Sequence, residues 1–433
     1  MMFPANIFAG QSYAVVGLGR NGLPAARALV AMGAEVTVWD DAEAARAAAT
    51  DLHVAEPTMR ELDALVLSPG IAHRLPSPHR IAAAAVAARV PILSDAELLY
   101  RAVRAAGSRA RFVGVTGTNG KSTTTALLAH ILQHAGIPVA AGGNLGAASL
   151  SLPLLPDDGV YVLEMSSYML ERIASLRFDA ATMLNLSPDH LDRHGDMAGY
   201  ADAKRAIFAR QRAGDVAVVG VDDPTSREMA EWLGGRAIAI SANDAVAGLD
   251  RAIALPGAHN AQNAAAATAL AAALGVPADI VAEGIASFPG LPHRQQVVAK
   301  VAGVTFVNDS KATNAESAAR ALACHGRVVW IAGGIAKAGG IAALAPYFPR
   351  IAHALLIGRD AELLARTLAE AGVPHEIAGT LETAVPAAFD RARRDGIDTA
   401  LLSPACASFD QFSGFEARGE RFANLVSRLR SFA

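Results

Sequence analysis

The chain has 433 residues, a formal net charge of −3 and 52% hydrophobic residues. Its basic residues are scattered, which removes nucleic acid and an anionic membrane surface as expected partners. The longest nearly uncharged apolar stretch, 264–276, is too short to cross a bilayer. No basic region followed by an apolar one opens the chain, and two cysteines, Cys324 and Cys406, are too few for a disulfide framework or a structural zinc site. A reducing cytoplasm is the expected compartment, and the length predicts two or three domains.

Residues 12–16 read as a buried strand. Gly17-Leu18-Gly19-Arg20-Asn21-Gly22 follows, then a helical pattern over 23–32 closed by Gly33. The next strand, 35–39, ends at Asp40. Glycines at 17, 19 and 22 with an acid beyond the second strand suit a diphosphate at a helix N-terminus, and the spacing serves NAD(P) and other nucleotides alike. A third strand, 64–67, runs into Ser68-Pro69-Gly70. A fourth, around 91–93, leads through a charged helix to the small-residue stretch 105–108, an expected linker. A first domain is therefore placed at 1–106.

The apolar run from Arg111 stops at Thr116-Gly117-Thr118-Asn119-Gly120-Lys121-Ser122-Thr123 and resumes as a helical pattern. Strand, glycine-rich loop and helix form a phosphate loop, in which backbone N–H groups and the Lys121 ammonium face one anion while Ser122 offers oxygen to Mg²⁺. The common pattern has glycine six residues before the lysine, where this chain has Val115, so the loop is short. A second glycine-rich turn is read at 142–146. Strand 160–163 ends at Glu164, an acid placed either for Mg²⁺ or for a helix N-terminus. Strand 182–186 leads to Ser187-Pro188-Asp189-His190-Leu191-Asp192, where His190 is a metal ligand, a general base or a solvated loop residue. On the amphipathic helix read at 200–212, Lys204 reads as a surface lysine. Strands 216–219 and 237–240 precede an alanine-rich helix to 274 whose first face carries Asn260 and Asn263. A boundary falls at Gly290-Leu291-Pro292-His293-Arg294. Beyond it, strands at 304–307, 328–332, 354–357 and 400–402 each run into polar or glycine-rich loops. The expected fold class is α/β: a Rossmann-like domain (1–106), a central phosphate-loop mononucleotide-binding domain (107–290) and a Rossmann-like C-terminal domain (291–433).

These motifs together resemble the Mur ligases. The matching stretches are 17–22, 116–123, Gly143-Asn144, 164–167, Asp189-His190, Lys204, His259-Asn260, 291–294, 308–314 and 403–419, and the short phosphate loop is itself a mark of that family. Siblings that add meso-diaminopimelate or lysine carry an Asp-Asn-Pro motif in the third domain, which this chain lacks. The chain is most similar to the members that add D-glutamate to UDP-N-acetylmuramoyl-L-alanine with ATP, through an acyl phosphate.

The resemblance implies roles residue by residue. Gly117, Thr118, Asn119, Gly120, Lys121, Ser122 and Thr123 would bind the ATP phosphates, and Asn260 and Asn263 the adenine. Arg294, Asp309 and Lys311 would hold phosphates and ribose. Ser122, Glu164, His190 and a carbamylated Lys204 would hold two Mg²⁺. Lys121, His190, Lys204 and Lys311 would carry the catalysis. Gly19, Arg20, Asn21, Asp40, Ser68 and Asn144 would take the UDP-linked acceptor, which sets NAD(P) aside. Thr313, Lys337, Ser408 and Phe415 would take D-glutamate. A monomer with no nucleic-acid or membrane partner is expected. Two positions depart from patterns seen in some members: Ile335 stands where an Asp occurs, and Asp41-Ala42 stand for Thr-Arg.

Overall fold

The computed structural model describes every residue except Leu145, Ala338 and 430–433; Leu145 of the predicted second glycine-rich turn therefore lies outside the described residues. The chain forms two compact units: Met1–Ala252 with Ala258–Phe288, and Ile253–Gly257 with the chain from Pro289 onward.

The first unit holds two parallel sheets. Strands β1 (Ser12–Val16), β2 (Glu35–Trp39), β3 (His53–Val54), β4 (Ala64–Leu67) and β5 (Ile92–Leu93) lie in the order β3-β2-β1-β4-β5. The chain winds outward in both directions from between β1 and β4. The glycine loop after β1 and Ser68 after β4 thus flank the switch point, where an open parallel sheet binds its ligand. Strands β6 (Arg111–Thr116), β7 (Val139–Gly143), β8 (Val160–Glu164), β9 (Ala180–Met183), β10 (Val216–Gly220) and β11 (Ala237–Ile240) lie in the order β11-β10-β9-β6-β8-β7. Here the reversal falls between β6 and β9, so the phosphate loop and the loop carrying His190 flank the second switch point. The apolar runs are central strands, covered on both faces: Phe112, Val113, Val115, Tyr161, Val162 and Leu163 have no exposed surface.

The second unit carries β12 (Gln296–Val301), β13 (Val304–Asn308), β14 (Val328–Gly333), β15 (Ile351–Ile357), β16 (His375–Gly379) and β17 (Thr399–Leu402), ordered β12-β13-β17-β14-β15-β16 with only β12 antiparallel among them. Two cores cover its faces, one around Trp330 and Phe348 and one around Phe306 and Phe422.

The strands missing from the sequence reading are edges. β3 is exposed and β12 and β16 are partly so, and none has the fully buried apolar run of a central strand, because one side of an edge strand faces solvent. β7 is also an edge, and it runs through Gly142-Gly143, which the sequence reading takes as a turn. The helix predicted over 200–212 is Met197–Arg205, capped by the Asp196 carboxylate on the Gly199 N–H. Beyond it the chain continues in tight turns, with the Ile207 and Phe208 N–H groups bonded three residues back and both side chains buried.

A carboxylate fastens the first sheet region to the second. Glu97, fully buried on the helix Asp95–Ala105, accepts the N–H groups of Ala174 (2.9 Å), Ser175 (2.9 Å) and Leu176 (2.8 Å), the Ser175 hydroxyl and Arg101 Nε (2.8 Å). Burial alone raises its pKa, but these donors outweigh it and hold the carboxyl below the usual glutamate range. A depressed acid contributes stability above its unfolded pKa and loses it as pH falls through the folded value. Glu97→Gln is therefore expected to lower stability by about 2–4 kcal/mol at neutral pH, and the gap to wild type should narrow in acid. Urea denaturation at pH 7 and pH 3.5 checks both. No helix among the described residues is long and apolar enough to cross a membrane.

Candidate functional site

The glycine loop, its acid and the loop after β4 close around one cleft. Leu18 N–H donates to Asp40 Oδ2 at 2.7 Å, and Ser68 Oγ donates to the Gly17 carbonyl at 2.7 Å. Asn21 Nδ2 reaches across to the Gly143 carbonyl at 2.9 Å, joining this loop to the end of β7. The resulting cavity of about 580 Å³ is lined by Gly19, Arg20, Asn21, Asp40, Ser68 and Asn144, the six residues expected at the acceptor site. Asp41 and His79 also line it. The Asp41 carboxylate accepts from His79 Nε2 and Trp39 Nε1, and these hydrogen bonds hold it below the usual aspartate range. Nothing in the residue pattern around His79 marks it for this place.

Asn144 bridges this cleft to the phosphate-loop domain. Its Nδ2 donates to Glu164 Oε1 at 3.0 Å, and Glu164 is buried at the end of β8. Next to β8, β6 delivers the phosphate loop. Thr118 N–H bonds to the Asn185 carbonyl (2.8 Å) and Asn119 N–H to Asn185 Oδ1 (2.9 Å), so a residue that drew no notice in the sequence braces the loop. Lys121 Nζ lies over the loop, donating to the carbonyls of Gly117 (2.9 Å) and Thr118 (2.8 Å). Ser122 and Thr123 are buried in the first turn of the helix Lys121–His134. Gly120 caps that helix with φ +83°, a left-handed conformation that side chains resist. A Cβ there would lie 2.1 Å from Asn263 Oδ1, so Asn263, bonded to Asn260 Oδ1 at 3.0 Å, packs directly against the loop.

Lys204 is not a surface residue. It is 1% exposed; its Nζ donates to the Gly117 carbonyl (2.9 Å) and Thr116 Oγ1 (3.3 Å) and sits 4.7 Å from the centre of the Tyr200 ring. Gly114 helps bring it there, because a Cβ at that point of β6 would press on Phe178 and Ile207 at 2.9 Å. Burial first, and then the neighbouring Lys121, push the Lys204 ammonium well below the usual lysine range, with Asp189 and Glu164 acting the other way. His190 takes a left-handed backbone, φ +53°, with its ring half-buried and 3.4 Å from Asp189 Oδ2. Burial, with Lys121 and Lys204 adding to it and Asp189 opposing, holds that imidazole below the usual histidine range. Lys121, Glu164, His190 and Lys204 are thus electrostatic neighbours around one loop.

The donors present fit a hard cation that keeps water and phosphate oxygens as ligands. Ser122 and Glu164 offer oxygen, and no group of three or more His, Cys, Asp or Glu side chains poised for a metal occurs among the described residues. Lys204 as an ammonium would repel such a cation; as a carbamate it would supply oxygen.

In the second unit the expected residues lie in the segments after β13, β14 and β17 and, for Arg294, just before β12. Lys311 Nζ stands 4.5 Å from the centre of the Phe415 ring, Thr313 N–H bonds to the Lys311 carbonyl (2.8 Å) and Lys311 N–H to the His293 carbonyl (3.0 Å). Arg294 N–H bonds back to the Leu291 carbonyl. Asp309 is buried, and its carboxylate accepts Ser403 Oγ (2.7 Å) and Gln295 N–H (3.1 Å); burial pushes its pKa up to about 7. Ser408 is buried with its carbonyl taking the Gln411 and Phe412 N–H groups, whereas Lys337 is exposed. Ile335 pairs with Ala407 across a β-bridge, and a carboxylate reaches this loop from Asp360, which accepts the Ala336 N–H at 2.8 Å. Arg418, which lies in the matching stretch 403–419 but had no role assigned to it, ties the three loops by donating to Ser310, Gly333 and Cys406.

A doubly wound cleft domain, a phosphate-loop domain and a third α/β domain define a modular nucleotide-dependent enzyme. Residues 115–271 match the Mur ligase middle domain, and 293–406 match the Mur ligase glutamate ligase domain. Proteins from Paramagnetospirillum magneticum and Rhodospirillum rubrum, both called UDP-N-acetylmuramoylalanine–D-glutamate ligase, are each 47% identical to the chain; the first alignment covers 98% of both sequences, the second 99% of this one and 97% of the relative. Two solved structures share the fold. The UDP-N-acetylmuramate-alanine ligase MurC of Thermotoga maritima has a TM-score of 0.61 at 18% identity, covering 98% of this chain and all of that one. MurF of Acinetobacter baumannii has a TM-score of 0.57 at 17% identity, covering 100% and 93%. The chain belongs to the Mur ligase family, whose members are ATP-dependent.

Proposed function

We propose that the chain joins D-glutamate to UDP-N-acetylmuramoyl-L-alanine, consuming ATP and releasing ADP and phosphate, as a cytoplasmic monomer in peptidoglycan precursor synthesis. The observation that carries this reading is the 47% identity over essentially the whole length of relatives bearing that activity in their names. The acceptor cleft supports it, because Asn144 contacts both that cavity and Glu164 beside the phosphate loop.

In this reading residues 1–106 bind the acceptor, 107–290 bind ATP and 291–433 present the amino acid. Asp40, Ser68 and the loop from Gly19 to Asn21 hold the UDP moiety and aim the terminal carboxylate past Asn144. A carboxylate oxygen attacks the γ-phosphorus and ADP departs; the amine of D-glutamate then attacks the acyl carbon, phosphate leaves and the nitrogen gives up a proton. Phosphoryl transfer of this kind asks for charge neutralisation and positioning. Lys121 supplies one cation, with the N–H groups of the helix start at Lys121 facing the phosphates. Mg²⁺ held by Ser122, Glu164, His190 and carbamylated Lys204 would supply further neutralisation. Asn260 and Asn263 would take the adenine, and Arg294, Asp309 and Lys311 the remainder of the nucleotide. Thr313, Lys337, Ser408 and Phe415 would take the amino-acid dicarboxylate.

Phosphate release is measured with ATP, UDP-N-acetylmuramoyl-L-alanine and each candidate amino acid. Stimulation by D-glutamate is expected; stimulation by another amino acid alone would move the chain to a different specificity within the family. Nicotinamide absorbance should stay constant on turnover, against the dehydrogenase reading of the first glycine loop.

A further inference from the structure

Arg172 follows the short helix Ser167–Leu170 and is 2% exposed. Its Nη1 donates to the carbonyls of Leu67 and Ser68, both at 3.1 Å, its Nη2 to the carbonyl of Ile71, and its Nε to His73 Nδ1 at 3.3 Å. These partners are three backbone carbonyls and one imidazole, with no carboxylate among them. Glu171 acts on it only through space, so burying this guanidinium is costly and its donors must be well used. All of them end on one segment, 67–73. A second guanidinium grips the same segment: Arg193 donates to the carbonyls of Gly70 (3.1 Å) and Ile71 (3.3 Å) while lying 4.3 Å from the centre of the Tyr168 ring. The opposite side of the segment faces the cleft, where Ser68, Pro69 and Ile71 form part of the wall. Both arginines come from the phosphate-loop sheet region, after β8 and β9, and the wall they hold belongs to the other sheet.

We propose that Arg172 is a positioning residue for the UDP-linked acceptor: it fixes the loop Leu67–His73 as a cleft wall without touching the substrate. The proposal rests on the acceptor reading of the cleft given above. Loops that a ligand must order cost binding energy, and a loop already tied at four groups has lost that freedom before the acceptor arrives. Two cations behind the wall also favour an anionic diphosphate in front of it.

The test uses the full chain with Arg172→Gln and Arg172→Lys, and KM is measured separately for the UDP-linked acceptor, ATP and D-glutamate. For Arg172→Gln the acceptor KM is expected to rise about tenfold or more, with kcat and KM for ATP within about twofold, the weight of one lost charge-assisted hydrogen bond. Arg172→Lys keeps the charge but not the fork and should fall between. Calorimetric titration with UDP alone should show the same weakening. Equal changes in all three KM values, or a fall in kcat at unchanged acceptor KM, would overturn the proposal. Should Arg172→Gln fail to fold, Arg172→Lys carries the test, and an acceptor KM equal to wild type overturns it. A wild-type chain that does not bind UDP overturns the cleft reading and the proposal with it, whereas wild type and variant binding equally well overturn the proposal alone.

Discussion

Lys204→Ala is expected to lower kcat by about a hundredfold to a thousandfold, the scale seen when one preorganised electrostatic partner is lost from an active site. The side chain is enclosed by Thr116, Gly117 and Tyr200, and its ammonium form is disfavoured by burial and by Lys121. A neutral amine is the form that adds CO₂: the nitrogen bonds to the carbon, a proton leaves, and a carboxylate remains where a cation stood. That carboxylate would give a hard metal the oxygen it prefers. Formate or acetate should therefore restore part of the activity of Lys204→Ala by entering the vacated space. Lys204→Arg keeps a positive charge and cannot be carbamylated, so it should be as inactive as the alanine variant. Rescue by neither anion, or full activity in Lys204→Arg, sinks the carbamate. Thermal melting of each variant separates this from loss of fold.

Gly120→Ala is expected to reduce kcat/KM for ATP by about a hundredfold, because it strains a left-handed backbone and drives a methyl group into Asn263. The helix start would have to shift, and with it the N–H groups that face the phosphates. Asn263→Ala removes the struck atom. The double variant should then recover part of the loss, with the left-handed strain remaining, and a double-mutant cycle reads the coupling. No recovery would mean that Asn263 does not set the position of the loop.

Much of the fold was legible. Central strands of parallel sheets are buried on both faces, so β1, β4, β6, β8, β13, β14 and β17 announce themselves as apolar runs ending in glycine or polar residues. The candidate site was legible where chemistry is local in sequence. The phosphate loop needs glycine, lysine and serine in consecutive positions, and the first glycine loop needs its spacing and the acid after β2. Residues that act through packing left no such trace. Lys204 sits in an ordinary amphipathic pattern, and only tertiary packing, with Ile207 just beyond its helix set close against Gly114 of β6, brings it into the interior. Asn185, Arg172 and Arg418 are single polar residues whose partners lie far away in sequence, and Glu97 on its helix has the look of a solvated acid.

Local residue patterns suffice for the three α/β regions, the glycine-rich loops and, through motifs spread over the whole chain, the family. Each of these depends on neighbours within a few residues, or on residue types that the chemistry cannot exchange. Packing over long distances set the rest: the six residues expected at the acceptor site share one cleft, Asn144 joins that cleft to Glu164, and Lys204 is a desolvated amine beside Lys121. Those facts depend on which strands lie side by side and how closely a helix approaches a sheet. Such distances are set by long-range packing, and a residue's pKa follows from them rather than from its own type.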